Sequence, residues 1–222
     1  MSTNLKFERI ADNKEVQRRM NPNLRQELKD YFFYFLKVFV TVTIVYLVVR
    51  TSIFDVIGIS GKSMYPNYDD RDAVYIDQIT PKFGDYRRGD VVVLVAPEDA
   101  AQERTLFIKR IVGLPGERVV MEDGDVFIYS DKYPDGVLLD EIMYLSADTN
   151  TYKKVISGGE RFEEKLLKQN EYYVMGDNRT GSTDSRFFGV VEKSEILGRE
   201  FYRVLPPEKA GFFELPSYNI EN

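Results

Sequence analysis

Three short stretches of this 222-residue chain carry side chains that could break a covalent bond. In ISGKSMYPN, Ser63 stands between Gly61 and Pro66, so a sharp turn exposing its hydroxyl is expected. In TLFIKRIVGLPGE, Lys109 and Arg110 interrupt a run of strand-forming residues. In GDNRTGSTDSRFFGVV, from Gly176 to Val191, Gly, Asn, Asp, Ser and Arg crowd into what reads as an ordered polar loop. Taken singly, each stretch has an ordinary explanation. A serine in a Gly/Pro turn commonly bonds its own backbone, paired charges protect an edge strand, and such residues dominate surface loops.

The chain contains neither His nor Cys, which rules out a Ser-His-Asp arrangement, papain-like chemistry, disulfides and the commonest metal ligands together. A nucleophilic enzyme built from this sequence needs Lys, Tyr or a carboxylate as its proton acceptor. Lys109 shares a strand face with Phe107 and Ile111, and if that face packs inward its ammonium loses water, which favours the neutral amine. Arg110 cannot serve, because a guanidinium keeps its proton. No cofactor or metal is implied: Asp123, Asp125, Asp131 and Asp135 miss the calcium-loop spacing, and Gly113 with Gly116 does not make a phosphate loop. With 36 acidic and 30 basic residues the formal charge is -6, which speaks against nucleic acid as a partner. Arg88-Gly89-Asp90 spells an adhesion tripeptide but reads better as a turn leading into Val91 to Val95.

The elements that must position these residues are a membrane anchor and a mainly β body. Residues 31–50 are apolar apart from Lys37 and Arg50, and their length as a helix, about 30 Å, matches the hydrocarbon layer of a bilayer. The basic residues Lys6, Arg9, Lys14, Arg18, Arg19, Arg25 and Lys29 precede that span, so residues 1–30 are expected in the cytoplasm and the bulk of the chain outside. Asn23 with Gln26, or Asn21-Pro22, offers the helix start. Strands are expected at Ala73 to Ile76, Val91 to Val95, Leu106 to Val112, Arg118 to Met121, Val126 to Tyr129, Tyr172 to Met175 and Ile196 to Val204. They define a β-rich core, 51–121 with 171–205, interrupted by an inserted β/loop lobe at 122–170. The tail, 206–222, has the proline content of a loosely held end, although Phe212, Phe213 and Leu215 could dock.

SGKSMYPN, RGDVVV with KRIVGLPGE, and GDNRTGSTDSRFFG resemble, in order and spacing, the signature segments of type I signal peptidases, also called leader peptidases. The likeness runs over residues 30–205 and includes their position after an N-terminal anchor. It implies a single-pass plasma-membrane serine endopeptidase that removes signal peptides from exported preproteins after small residues. On this likeness Ser63 is the nucleophile and its backbone N–H an oxyanion donor, while neutral Lys109 is the general base. Ser182 would orient the Lys109 amine, Asp184 and Arg186 would form a supporting ion pair, and Asp177, Asn178 and Arg179 would shape the loop. Gly61 departs from members that add a serine side chain to the oxyanion site, and Asn67 stands where Thr is common. The implied partners are signal-peptide-bearing preproteins and the lipid bilayer. Ser63 follows Arg50 by few enough residues to stay within about 45 Å of the span, where signal peptides present their cleavage sites. Ile59, Met64, Tyr65 and Val93 are candidates for pocket lining and equally for core.

Two other accounts fit part of this. A catalytically silent, membrane-tethered β domain that binds secreted chains or secretion partners would have the same anchor and core, but no evident use for both Ser63 and Lys109. A self-cleaving repressor-like protein would share the dyad, but the anchor and the lack of a DNA-binding segment count against it.

Overall fold

The computed structural model of the chain describes residues 22–97, 100, 105–152 and 166–220. Lys6, Arg9, Lys14, Arg18 and Arg19 of the expected basic flank lie outside the described residues. The chain divides into two compact units, Met1–Arg50 and Thr51–Asn222.

Helix α1 runs from Pro22 to Ile53. It starts earlier than the apolar run because Leu24 to Lys29 are good helix formers and Pro22 suits a first helical position, where no N–H is needed. Within it, Gln26–Leu47 is long and apolar enough to cross a membrane. Phe32, Phe35 and Val42 are exposed on its surface, and from Tyr31 to Leu47 Lys37 is the single charged residue. Thr43 satisfies its hydroxyl by donating to the Phe39 carbonyl at 2.8 Å, so it leaves no unpaired hydroxyl on this apolar stretch.

The second unit is mainly β. Its large sheet has the order β1 (Phe54–Gly58), β2 (Ala73–Asp77), β10 (Ile196–Leu205), β3 (Val91–Val95), β4 (Leu106–Gly113), β8 (Glu171–Met175), β9 (Val191–Glu192), with β11 (Gly211–Phe212) paired to β10. A second sheet holds β5 (Arg118–Glu122), β6 (Asp125–Tyr129) and β7 (Val137–Leu138). The seven strands expected from β-branched runs are all present, each within a residue at its ends. The additional strands are short or, like FDVIG of β1, lack a long apolar run, and they exist because a neighbour offers a free edge.

β3 is continuous in apolar residues and β4 is apolar apart from Lys109 and Arg110, and both carry core side chains on either side of the sheet. The three-stranded sheet is not an independent lobe in packing terms. Val119, Val126, Ile128 and Leu139 share one core with Val112, Tyr173 and Met175 of the large sheet. The tail departs from expectation: it is held. Ile220 is buried in that same core, the Asn219 side chain donates to the Leu138 carbonyl at 2.7 Å, and Phe213 packs against the core around Val74, Ile76 and Val93. Apolar residues at wide spacing suffice to dock a segment whose regular structure is limited to a short 3-10 turn and β11. The Arg88-Gly89-Asp90 tripeptide is sequestered, since Arg88 and Asp90 are fully buried and Arg88 makes a bidentate pair with Glu117 at 2.6 and 2.9 Å.

Candidate active site

Sheet register places the three chemistry-bearing stretches together. In the β3–β4 ladder Val92 faces Lys109, and in the β4–β8 ladder Arg110 faces Met175, so the loop that begins at Gly176 starts beside the Lys109-Arg110 pair. β1 pairs with β2 from Phe54–Asp77 to Gly58–Ala73, and Ile59 prolongs the contact through Asp72. The chain between Ile59 and Arg71 is thereby closed into a compact loop, which the Gly61 N–H tightens by donating to Asp70 Oδ1 at 3.0 Å. Gly61 has φ +92°, a left-handed conformation that suits glycine.

Ser63 sits in that loop, half-buried, with its Oγ 3.0 Å from Lys109 Nζ. Lys109 is 2% exposed, and its amine also donates to the Ile108 carbonyl at 2.8 Å. The Phe107 ring stands 4.8 Å from Nζ. A cavity of about 290 Å³ opens beside the pair, lined by Ile57, Ile59, Gly61, Ile108 and Thr183 among others. A hydroxyl and a buried amine within hydrogen-bond distance, at the mouth of a cleft of mixed polar and apolar lining, form the geometry needed for amine-assisted nucleophilic attack.

The Gly176 loop wraps the Ser63 turn. The Asn178 N–H donates to the Ser63 carbonyl and its side-chain amide to the Lys62 carbonyl, both at 3.0 Å. A Cβ on Gly176 would lie 2.3 Å from the Ser63 carbonyl oxygen and 2.2 Å from Ser182 Oγ, so only glycine permits this approach. Ser182, 1% exposed, is thus packed beside the main chain of Ser63. Asp184 and Arg186 form a bidentate pair at 2.8 and 2.7 Å, and Asp184 also accepts the Gly176 N–H at 3.0 Å. Burial by itself would raise the Asp184 carboxyl, but Arg186, the Gly176 N–H and the Ser182 hydroxyl outweigh it and hold the group below its ordinary value.

A second tier of charges lies behind the loop. Arg110 clamps Asp177 at 2.8 and 2.7 Å, rests on the Tyr144 ring at 4.2 Å and donates to the Gly89 carbonyl. Arg179 reaches Glu141 and Thr151 and donates from Nε to the Gly176 carbonyl at 3.2 Å. Glu141, Thr151 and the pairing role of Arg110 were not anticipated. A signal for Arg110 existed: strand alternation sends it to the face opposite Lys109, and a buried guanidinium needs a carboxylate. Glu141 and Thr151 gave none, being ordinary polar residues in a polar stretch.

Comparison with known proteins agrees with the motifs. The family described as signal peptidase, peptidase S26, matches residues 32–205. "Probable signal peptidase I-2" of Synechocystis is 32% identical over 79% of this chain and 74% of its own length. "Signal peptidase I P" of Bacillus subtilis subsp. natto is 31% identical over 77% of this chain and 87% of its own. A crystal structure of a signal peptidase I from Enterococcus faecalis aligns with TM-score 0.37 and 28% identity, covering 51% of this chain and 95% of that one. On the extent of the family match and of the two relatives, this chain belongs to the signal peptidase family, peptidase S26, as a serine endopeptidase of the signal peptidase I type.

Proposed function

We propose that the protein is anchored in the plasma membrane by α1, with its N-terminus cytoplasmic and its β unit outside, and removes signal peptides from exported preproteins through a Ser63–Lys109 dyad. The observation that carries the proposal is the 3.0 Å contact between Ser63 Oγ and the buried Nζ of Lys109. An amine held out of water gives up its proton more readily than an exposed one. Neutral Lys109 takes the Ser63 hydroxyl proton as Oγ bonds to the scissile carbonyl carbon, and the oxyanion is met by the Ser63 N–H. Lys109 then passes that proton to the departing amine, leaving an acyl-enzyme. A water enters, loses a proton to Lys109, attacks the ester carbonyl and releases the signal peptide's new C-terminus, while Ser63 Oγ regains its proton. Ser182 orients the amine, and Asp184 with Arg186 fixes the loop that carries Ser182. Ile57, Ile59, Val93 and Ile108 on the cleft wall offer apolar surface for small side chains before the cut, and strand-like addition of the substrate would supply much of the binding.

The test is cleavage of a purified preprotein with an A-x-A junction by the detergent-solubilised full chain, beside Ser63→Ala, with sequencing of the new N-terminus. Cutting after the small residue by the native chain alone supports the dyad. Cutting that survives in Ser63→Ala refutes it, and binding without cutting by either form would favour the silent binding domain.

A further inference from the structure

We infer that Asn67 is a positioning residue that holds the Ser63 turn against the Asp177–Asn178 loop, an inference that rests on the Ser63–Lys109 dyad proposed above. The side-chain amide of Asn67 has two hydrogens, and each has its own acceptor: Asp177 Oδ2 at 2.8 Å and the Tyr144 carbonyl at 2.8 Å. The main-chain carbonyl of Asn67 accepts from Arg203 at 3.0 Å, so the residue is fixed at both its backbone and its tip.

The upstream end of the turn is gripped by the neighbouring residue of the same loop, since Asn178 donates to the Lys62 and Ser63 carbonyls. Two consecutive residues, Asp177 and Asn178, therefore hold the turn on either side of the nucleophile. Within it, the Tyr65 N–H donates to the Lys62 carbonyl at 3.2 Å and the Tyr68 N–H to the Met64 carbonyl at 2.9 Å, which makes the segment short and stiff enough to transmit the hold. Asp177 is itself anchored by Arg110, the strand neighbour of Lys109. Asn67 thus ties the hydroxyl-bearing turn to the strand that carries the amine, and to the Glu141–Tyr144 segment that supports the loop from behind.

Loss of the downstream hold lets the Ser63 hydroxyl drift relative to Lys109 Nζ, and misplacement of about 1 Å costs on the order of 100-fold in rate. Asn67 touches neither reacting atom, so substrate binding is expected to change little. Asn67→Ala and Asn67→Thr are to be measured in the full chain in detergent, for kcat, KM and thermal unfolding, with Ser63→Ala alongside. The expectation for Asn67→Ala is a fall in kcat of about 10- to 100-fold with KM within about 3-fold of native and the unfolding transition little moved. Asn67→Thr, whose single O–H can serve one acceptor but not both, should fall in between. An Asn67→Ala kcat within about twofold of native, or a change confined to KM, would overturn the inference. If the alanine variant does not fold, Asn67→Thr decides in the same way: lowered kcat supports the hold, native kcat overturns it. Cleavage surviving in Ser63→Ala would instead refute the dyad itself.

Discussion

Lys109 and Arg110 are adjacent on β4, equally buried and nominally of the same charge, yet their partners differ in kind. Lys109 meets a hydroxyl and a carbonyl beside an open cleft, whereas Arg110 meets a carboxylate in bidentate geometry with an aromatic ring beneath it. Strand alternation sends the two to different faces, so one strand carries the proposed base on one and a rigid brace on the other. The contrast is between a buried amine beside a hydroxyl and a buried guanidinium paired with a carboxylate. A carboxylate neutralises and locks it, while a hydroxyl leaves its proton available for exchange.

The largest expected effect comes from the reactive side. Lys109→Ala should lower cleavage by at least about 1,000-fold with thermal unfolding nearly native, and Lys109→Arg should not restore it, because guanidinium cannot act as base. Arg110→Ala should do the reverse. It strands Asp177 without its cation in a site that is closed to water, at a cost of about 3–5 kcal/mol in a denaturant titration, with a smaller loss of activity than Lys109→Ala because Asp177 also accepts from Asn67. A native-like denaturation midpoint for Arg110→Ala would remove the distinction between the neighbours.

Gly176→Ala tests whether the two tiers are coupled. The added methyl must displace either Ser182 or the Ser63 carbonyl, so a kcat loss of roughly 100-fold is expected, with a smaller change in stability than for Arg110→Ala.

The smallest effects concern two buried acids that differ as the two cations do. Asp184, paired with Arg186, lies below its ordinary 3.8, whereas burial raises Glu200, bonded by the Tyr68 phenol, above its ordinary 4.5. Stability contributed by Asp184 is present above its unfolded value and lost as pH falls through the lower folded one. Stability contributed by Glu200 is present below its unfolded value and lost as pH rises through the higher folded one. Urea midpoints measured against pH should show the acid limb flattened in Asp184→Asn and the limb just above pH 4.5 flattened in Glu200→Gln. The same limb responding to both substitutions would contradict the opposite signs.

Much of this was legible in the residues themselves. The absence of His and Cys left lysine as the natural base, β-branched runs between turn residues marked seven strands, and an apolar stretch interrupted only by Lys37 marked the helix, because each depends on local composition and spacing alone. Ser63 and Lys109 could be nominated from their motifs, but their 3.0 Å separation could not, since it follows from the β3–β4–β8 register and from how closely Gly176 lets two backbones approach. The docking of the tail, the partnership of Arg179 with Glu141, and the double bond of Asn67 were likewise invisible beforehand. Each joins polar or isolated apolar residues far apart in the chain, whose individual preferences fit a solvated loop as well as a buried brace. Only the desolvation imposed by the packed sheets decides which partners such groups must find.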